Sequence, residues 1–198
     1  MKRLSLLVLL ALTAIGSSAQ STSALDDVLQ HSPMLSVFAL KACDYWADDL
    51  GCDTLGSRSS WAELGVTAAA SYVASAAVTY SLKQLVRERC PDHSDHRSFP
   101  SGHAPFAFAG ATMLHHEYGH LSPWVTIGGY GMAALVSIDR VRLDRHYLHD
   151  VCAGAAIGFL ATEAVYALRR EFLPRLLGKE QKVQVGFTGQ TLEVAIRL

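Results

Sequence analysis

The chain alternates between long apolar stretches and short polar ones, a pattern that predicts several helices joined by loops. The apolar stretches are rich in alanine and carry few charges, which favours helix over strand. They cover residues 33–47, 61–82, 104–116, 124–138 and 150–168. Glycine, proline and charged residues fill the segments between them, chiefly 48–60 and 83–100, and predict loops there. We therefore expect an all-α helical bundle.

The C-terminal tail follows a different period. Apolar side chains alternate with other residues at 183, 185 and 187, and again at 192, 194, 196 and 198. Thr188, Gly189 and Gln190 lie between the two runs, so the tail predicts a short β-hairpin. The expected organisation is a helical domain over residues 20–178 followed by a hairpin tail over residues 179–198.

The N-terminal segment is typical of a signal peptide. Lys2 and Arg3 precede an apolar run over residues 4–15, and the small residues Ser17 to Ala19 form a cleavage site. We expect residues 1–19 to be removed, with an uncleaved N-terminal anchor as the alternative. Either outcome predicts export to the periplasm or cell envelope.

Composition places the chain near the boundary between a soluble helical domain and a small membrane protein. Half of its 198 residues are hydrophobic and 18% are charged, against a usual level of about 25%. The net charge of −1 provides no field that would attract nucleic acid. Membrane association is expected, although the sequence does not decide whether the apolar helices cross a bilayer.

Four cysteines in an exported chain allow disulfides. Cys43 and Cys52 form one candidate pair, and Cys90 and Cys152 form the other. Three connectivities exist for four cysteines, and four free thiols are the alternative.

The first segment with candidate chemistry is SFPSGH, residues 98–103. Gly102 allows the backbone to approach a ligand, and the helix that follows offers free N–H groups at its positive end. Ser101 adds a hydroxyl donor, and His103 can exchange a proton beside a bound anion. In isolation, the same residues would form an ordinary turn with a capping serine.

The second segment is DRVRLDRHYLHD, residues 139–150. His146 and Asp150 are four residues apart and share one face of a helix. A carboxylate beside one ring nitrogen fixes the histidine tautomer and makes the other nitrogen a better nucleophile. Arg140 offers a guanidinium that can bind two phosphate oxygens. A basic surface loop with a capping aspartate is the alternative interpretation.

Taken together, the two segments resemble the type 2 phosphatidic acid phosphatase family, which shares its fold with vanadium haloperoxidases and bacterial acid phosphatases. The family signature has three parts: K-x6-R-P, P-S-G-H and S-R-x5-H-x3-D. The matching positions are Lys83 and Pro91 for the first part, residues 100–103 for the second, and Arg140, His146 and Asp150 for the third. The chain departs from the signature at Cys90, where the family has arginine, and at Asp139, where serine is usual.

The resemblance implies a role for each matching residue. His146 would attack phosphorus, Asp150 would orient it, and His103 would protonate the leaving oxygen and later activate water. Lys83, Arg140 and the backbone near Ser101 and Gly102 would bind the phosphate, without a metal or other cofactor. Arg89 is a candidate substitute for the missing motif arginine at position 90.

A competing motif is HEYGH, residues 116–120, which has the His-Glu-x-x-His spacing of zinc hydrolases. Gly119 and Pro123 predict that the helix ends inside this motif, and no third zinc ligand follows at the usual spacing. We therefore interpret the motif as a helix C-terminus and keep a zinc hydrolase as an alternative.

The expected function is hydrolysis of a phosphomonoester or diphosphate through a phosphohistidine intermediate. The resemblance favours a membrane lipid of the phosphatidate, undecaprenyl diphosphate or lipid A type as substrate. A soluble periplasmic acid phosphatase of broad specificity is one alternative. Another is an envelope helical protein whose catalysis is weakened or lost, as Cys90 suggests.

Overall fold

The computed structural model describes residues 29–49, 56, 59–93, 96–176, 183–187 and 192–196. Within this part of the chain the predicted helical bundle is confirmed. Its elements are α1 (Ser32–Asp49), α2 (Trp61–Leu85), α3 (His103–Tyr118), α4 (Pro123–Arg142), α5 (Leu148–Leu176), β1 (Val183–Phe187) and β2 (Leu192–Ile196). The predicted signal peptide and Cys52 lie outside the described residues.

Local capping signals determine where several helices begin and end. Ser60 accepts a hydrogen bond from the backbone N–H of Glu63, whose side chain accepts one in return, so α2 starts with a capping box. Ser122 caps α4, and Pro123 occupies its first turn, where a missing N–H costs nothing. Gly119 ends α3 at the point where the sequence predicts it.

Helix α3 lies at the centre of the bundle and packs against α1, α2, α4 and α5. Most of its residues are buried, which explains why its sequence is apolar on every face. The main core cluster combines residues of α1, α2 and α3, namely Met34, Val37, Leu64, Ala68, Met113, Leu114 and Tyr118.

Two glycines allow α5 to pack closely against the start of α3. A Cβ atom on Gly158 would lie 2.0 Å from the carbonyl oxygen of Pro105, a distance that no side chain can accept. A Cβ on Gly154 would lie 3.0 Å from Cδ of the same proline. The close approach brings the N-terminal ends of α3 and α5 together, and both candidate motifs lie at those ends.

Helices α2 and α4 expose apolar side chains and bury small or hydroxyl-bearing ones. The buried positions of α2 are Leu64, Thr67, Ala68, Ser71, Ser75 and Thr79. On its outer face Val66 and Val73 are 71% and 68% exposed, and on α4 Trp124 and Leu135 are 75% and 68% exposed. The bundle therefore presents an apolar outer surface, the reverse of the usual arrangement in water.

One helix within the described residues is long and apolar enough to cross a membrane. It covers Leu148–Glu171, and only 22% of the most apolar 18-residue stretch within it is buried inside the bundle.

The C-terminal strands β1 and β2 pair antiparallel, with Val183 opposite Ile196 and Phe187 opposite Leu192. They occupy the segment in which the alternating pattern predicts a hairpin.

Candidate active site

The loop before α3 and the first turn of α5 meet at the carboxylate of Asp150. Ser98 Oγ donates a hydrogen bond to Asp150 Oδ2, and the backbone N–H of Tyr147 donates to the same oxygen at 2.9 Å. The backbone N–H of Ser101 donates to the Asp150 carbonyl at 3.0 Å. Asp150 is fully buried. It therefore caps α5 and also attaches that helix to the motif of residues 98–103.

His146 lies beside this carboxylate, in the turn between α4 and α5. Its Nδ1 is 3.7 Å from Asp150 Oδ2, which is an ion-pair distance but too long for a hydrogen bond. The backbone N–H of His146 lies 3.4 Å from the Arg140 carbonyl, and that of Arg145 lies 3.1 Å from it. The turn thus places His146 next to the arginine of the same motif.

The surroundings of His146 favour its neutral form. Burial and the positive charge of Lys83 lower the pKa of His146 to about 4, with His103 contributing in the same direction and Asp150 opposing it. A neutral ring keeps a lone pair for attack on an electrophile. Lys83, His103 and Asp150 are therefore close enough to the His146 ring to act on it electrostatically.

Lys83 reaches this site from the last turn of α2. Its Nζ donates to the carbonyl oxygen of Arg97 at 2.7 Å. A Cβ atom on Gly102 would lie 4.0 Å from Lys83 Cε, so the lysine stem runs alongside the Ser-Gly-His segment. A cationic group is therefore held against the loop that would bind an anion.

Arg140 supplies a second, buried cation. Its side chain is 8% exposed, and its Nη2 lies 3.0 Å from Oδ2 of Asp139. Serine is usual at position 139 in the family that the motifs resemble. The carboxylate here neutralises part of the charge that a phosphate would otherwise use.

The start of α3 provides hydrogen-bond donors. Ser101 is fully buried, and its Oγ has no hydrogen-bond partner within the described residues. The N-cap residue of α3 is Gly102, which has no side chain to bond the free N–H groups of the first turn. A buried hydroxyl and a helix N-terminus together form an environment suited to an oxyanion.

At position 90, where the signature has arginine, this chain has a thiol. Cys90 is buried and a free thiol, and Cys152 is an exposed free thiol, so the candidate disulfide between them is wrong. Cys43 is also a free, exposed thiol. Arg89 is exposed to solvent.

The HEYGH motif lies at the opposite end of α3, at the helix end that the sequence predicts. His116 Nε2 is 2.8 Å from Glu163 Oε1. Glu117 is buried and accepts hydrogen bonds from Ser59 at 2.7 Å and from Tyr166 at 2.8 Å. These contacts attach α3 to its neighbours. Within the described residues, neither His116 nor His120 belongs to a group of side chains able to hold a metal.

Three residues near the site have no role in the sequence interpretation. Ser98, Glu88 and His149 all contact Asp150 or one another, and the ligand atoms of Glu88, His149 and Asp150 lie within 4.8 Å of one another. That group is the one set of described side chains with metal-binding geometry. Ser98 and His149 lie inside the two motifs, but their contacts span more than fifty residues and no local pattern predicts them.

Comparison with known proteins gives a consistent result. A family model described as the PAP2 superfamily matches residues 64–173. The chain is 32% identical over 142 residues to a lipid A 1-phosphatase of Porphyromonas gingivalis. The matched region covers 72% of this chain and 30% of that protein. It is 35% identical over 100 residues to a probable lipid phosphate phosphatase beta of Arabidopsis thaliana, covering 38% of this chain and 46% of that protein.

A solved structure is also similar. It is a transmembrane PAP2-type phosphatidylglycerolphosphate phosphatase from Bacillus subtilis, with 24% identity and a TM-score of 0.48 over 85% of this chain and 95% of that one. The chain spans less than half the length of the two curated relatives above.

Proposed function

The chain belongs to the PAP2 superfamily, and from this premise we propose that it is a phosphatase acting on a phosphorylated membrane lipid. The observation that carries the proposal is the junction at Asp150, which joins the Ser-Gly-His loop to the turn bearing His146. In this proposal His146 is a neutral imidazole beside the buried Asp150 carboxylate, and Lys83 and Arg140 are the two cations of the site. The expected substrate is a phosphomonoester or diphosphate.

In the proposed reaction, His146 is the nucleophile. Its Nδ1 faces Asp150, so Nε2 attacks phosphorus, and the bond from phosphorus to the leaving oxygen breaks. His103 gives its proton to that oxygen. Water then attacks the phosphohistidine and loses a proton to His103, and the bond from phosphorus to nitrogen breaks to release phosphate. Asp150 stabilises the imidazolium that forms at His146.

The second requirement of phosphoryl transfer is stabilisation of the negative charge on the equatorial oxygens of the phosphoryl group. Lys83, Arg140, the Ser101 hydroxyl and the backbone N–H groups from Gly102 onward would stabilise it. Because these groups supply positive charge and hydrogen bonds, the proposed mechanism needs no metal ion or other cofactor.

A lipid substrate is favoured by the outer surface of the bundle. The exposed valines of α2 and the exposed Trp124 and Leu135 of α4 suit contact with acyl chains better than contact with water. The curated relatives are named as phosphatases of lipid A and of lipid phosphates. We therefore propose a membrane-associated enzyme of the cell envelope that takes a phosphatidate, an undecaprenyl diphosphate or a lipid A phosphate.

The test is phosphate release from these three lipids in detergent micelles. His146→Ala should reduce the rate to background, and His103→Ala should reduce it by about 10²–10⁴-fold, the usual contribution of a general acid. His120→Ala is the matched control, because this histidine is exposed at the far end of α3. Equal rates in wild type and His146→Ala would refute the proposal. A wild type that prefers water-soluble phosphoesters without detergent would instead indicate a soluble acid phosphatase.

Two substitutions favour one further candidate function, an envelope protein with weakened catalysis. Cys90 removes a guanidinium from the motif, and Asp139 places a carboxylate on the remaining one. If this interpretation holds, the purified wild type releases phosphate from none of the three lipids above background, although it is folded.

A further inference from the structure

The two oxygens of the Asp150 carboxylate have different neighbours. Oδ2 accepts the hydrogen bonds of Ser98 and of the Tyr147 backbone, and it faces His146. Oδ1 is buried and accepts no hydrogen bond within the described residues, but it lies 3.1 Å from Nε2 of His149, an ion-pair distance. One carboxylate is thus shared by two imidazoles, and the mechanism proposed above uses only one of them.

A second carboxylate, that of Glu88, contacts the same ring nitrogen of His149. Nε2 of His149 lies 3.0 and 3.1 Å from the two side-chain oxygens of Glu88. Glu88 is itself held in place, because its backbone carbonyl accepts a hydrogen bond from the Ser98 N–H at 2.9 Å. The loop after α2 and the start of α5 therefore meet at this ring nitrogen, and the Ser-Gly-His loop supports Glu88 through its backbone.

Two aromatic side chains fix the plane of the His149 ring. Tyr147 stacks on it with ring centroids 5.4 Å apart and an interplanar angle of 9°, and Phe99 stacks with centroids 6.0 Å apart at 26°. The side chain is nevertheless 57% exposed, so protons reach it freely. An ordered but accessible imidazole whose Nε2 contacts two carboxylates is favoured in its protonated form.

We propose that His149, anchored by Glu88, is a positioning residue that holds Oδ1 of Asp150. Through this contact it sets the orientation and effective charge of the carboxylate that faces His146. Without the ring, Glu88 and Asp150 would face each other as like charges, and Asp150 would lose its partner at Oδ1. The charged and titratable groups facing His149 are Glu88 from the loop after α2, and Tyr147 and Asp150 from its own segment. The catalytic consequence rests on the function proposed above.

The first experiment compares His149→Ala and His149→Gln by steady-state kinetics from pH 4 to 8. Removing a positive charge beside Asp150 lets the carboxylate act more fully on His146, so the pKa of His146 should rise. We expect both variants to shift the acidic limb of kcat/KM upward by about 0.5–1 pH unit. His149→Ala should lower kcat about tenfold with KM unchanged, whereas His149→Gln, which keeps an N–H donor, should recover most of kcat.

A double-mutant cycle tests whether Glu88 acts through His149. Glu88→Gln should lower kcat about threefold to tenfold in the wild-type background, but should have no further effect in His149→Gln. His120→Ala serves as the control for loss of an exposed histidine. Equal effects of Glu88→Gln in both backgrounds would overturn the proposed anchoring.

The titration of His146 can also be followed directly by NMR, without turnover. If wild type and His146→Ala release phosphate equally, the proposed function fails, while an upward shift of the His146 pKa in His149→Ala still supports the coupling. Two results would overturn the inference. One is an unchanged acidic limb and NMR pKa in His149→Ala, even if its melting temperature falls. The other is wild-type activity that is lost with EDTA and restored by Zn²⁺, since the group would then act as a metal site.

Discussion

Nδ1 of His146 and Oδ2 of Asp150 lie 3.7 Å apart, and the carboxylate oxygen is already occupied by the Ser98 hydroxyl and the Tyr147 N–H. Asp150 therefore joins two segments of the chain. Its carbonyl oxygen and Oδ2 accept hydrogen bonds from Ser101 and Ser98 in the loop before α3, and Oδ2 caps the helix that follows His146. Loss of Asp150 is expected to disturb both motifs at once.

The low pKa of His146 predicts activity that persists in acid. A nucleophilic histidine must be neutral, and the pKa of His146 is about 4 rather than the ordinary 6.5. At pH 5 the free enzyme should therefore keep most of the kcat/KM that depends on this group. A ring with the ordinary pKa would lose about 30-fold at the same pH.

The measurement is kcat/KM between pH 4 and 8 with a substrate whose own ionisation is known. Lys83→Gln provides the comparison, because its positive charge lowers the pKa of His146. In that variant the acidic limb should move to higher pH, in addition to any loss of rate from phosphate binding. An acidic limb near pH 6.5 in the wild type would contradict the assigned environment of His146.

Restoring the motif arginine should raise activity. Cys90 is a buried thiol at the position where the signature requires a guanidinium. Cys90→Arg adds a donor for the transferring phosphoryl group, which we expect to increase kcat/KM about tenfold or more. Cys152→Arg is the matched control on an exposed thiol. A folded Cys90→Arg protein with unchanged or lower activity would show that the site does not extend to position 90.

Close packing of α5 on α3 should be intolerant of even one methyl group at Gly158. The added Cβ of Gly158→Ala would overlap the Pro105 carbonyl, so the helices must separate, and we expect a loss of about 2–3 kcal/mol in the free energy of unfolding. Gly131→Ala is the control, since no atom lies within 4 Å of its added Cβ. That variant should gain up to about 1 kcal/mol from helix propensity. Equal stabilities in denaturant titrations would contradict the described packing.

Substitution of Glu117 distinguishes a structural role of HEYGH from a zinc hydrolase site. Its Oε1 accepts hydrogen bonds from Ser59 and Tyr166, and Arg169 lies 3.7 Å away. Glu117→Gln should therefore destabilise the fold by about 1.5–3 kcal/mol while the remaining folded protein keeps its specific activity. In a zinc hydrolase the same change would remove the general base and abolish activity, which would also be sensitive to chelators. Melting temperature and phosphate release on the same samples decide between them.

The helices could be predicted because their signals are local. The capping box at Ser60, the Ser122-Pro123 start of α4 and the Gly119 end of α3 are all readable from neighbouring residues. The alternation that predicts the hairpin is local in the same sense. Helix ends are less accurate, since α5 begins at Leu148 and continues to Leu176, beyond the predicted 150–168.

The facing of the helices and the contacts between motifs could not be predicted. The stretch that forms α2 is apolar all round, so its sequence does not show that hydroxyl groups face inward and valines outward. The spacing of His146 and Asp150 is visible in the sequence. The hydrogen bond from Ser98 to Asp150 and the contact of Glu88 with His149 join residues far apart in sequence, so no local pattern predicts them. The packing of α2 and α3 against α5 brings them together.

The most direct test of the account is the search for a phosphoryl group on His146. A ³²P-labelled aryl phosphate, whose leaving group needs no proton, would be mixed with His103→Ala, where hydrolysis of the intermediate should be slow. The account predicts label on the peptide containing His146, stable in alkali and lost in acid, and absent from the double variant that also carries His146→Ala. Turnover of the aryl phosphate with no label on that peptide, or the same label in the double variant, would contradict it.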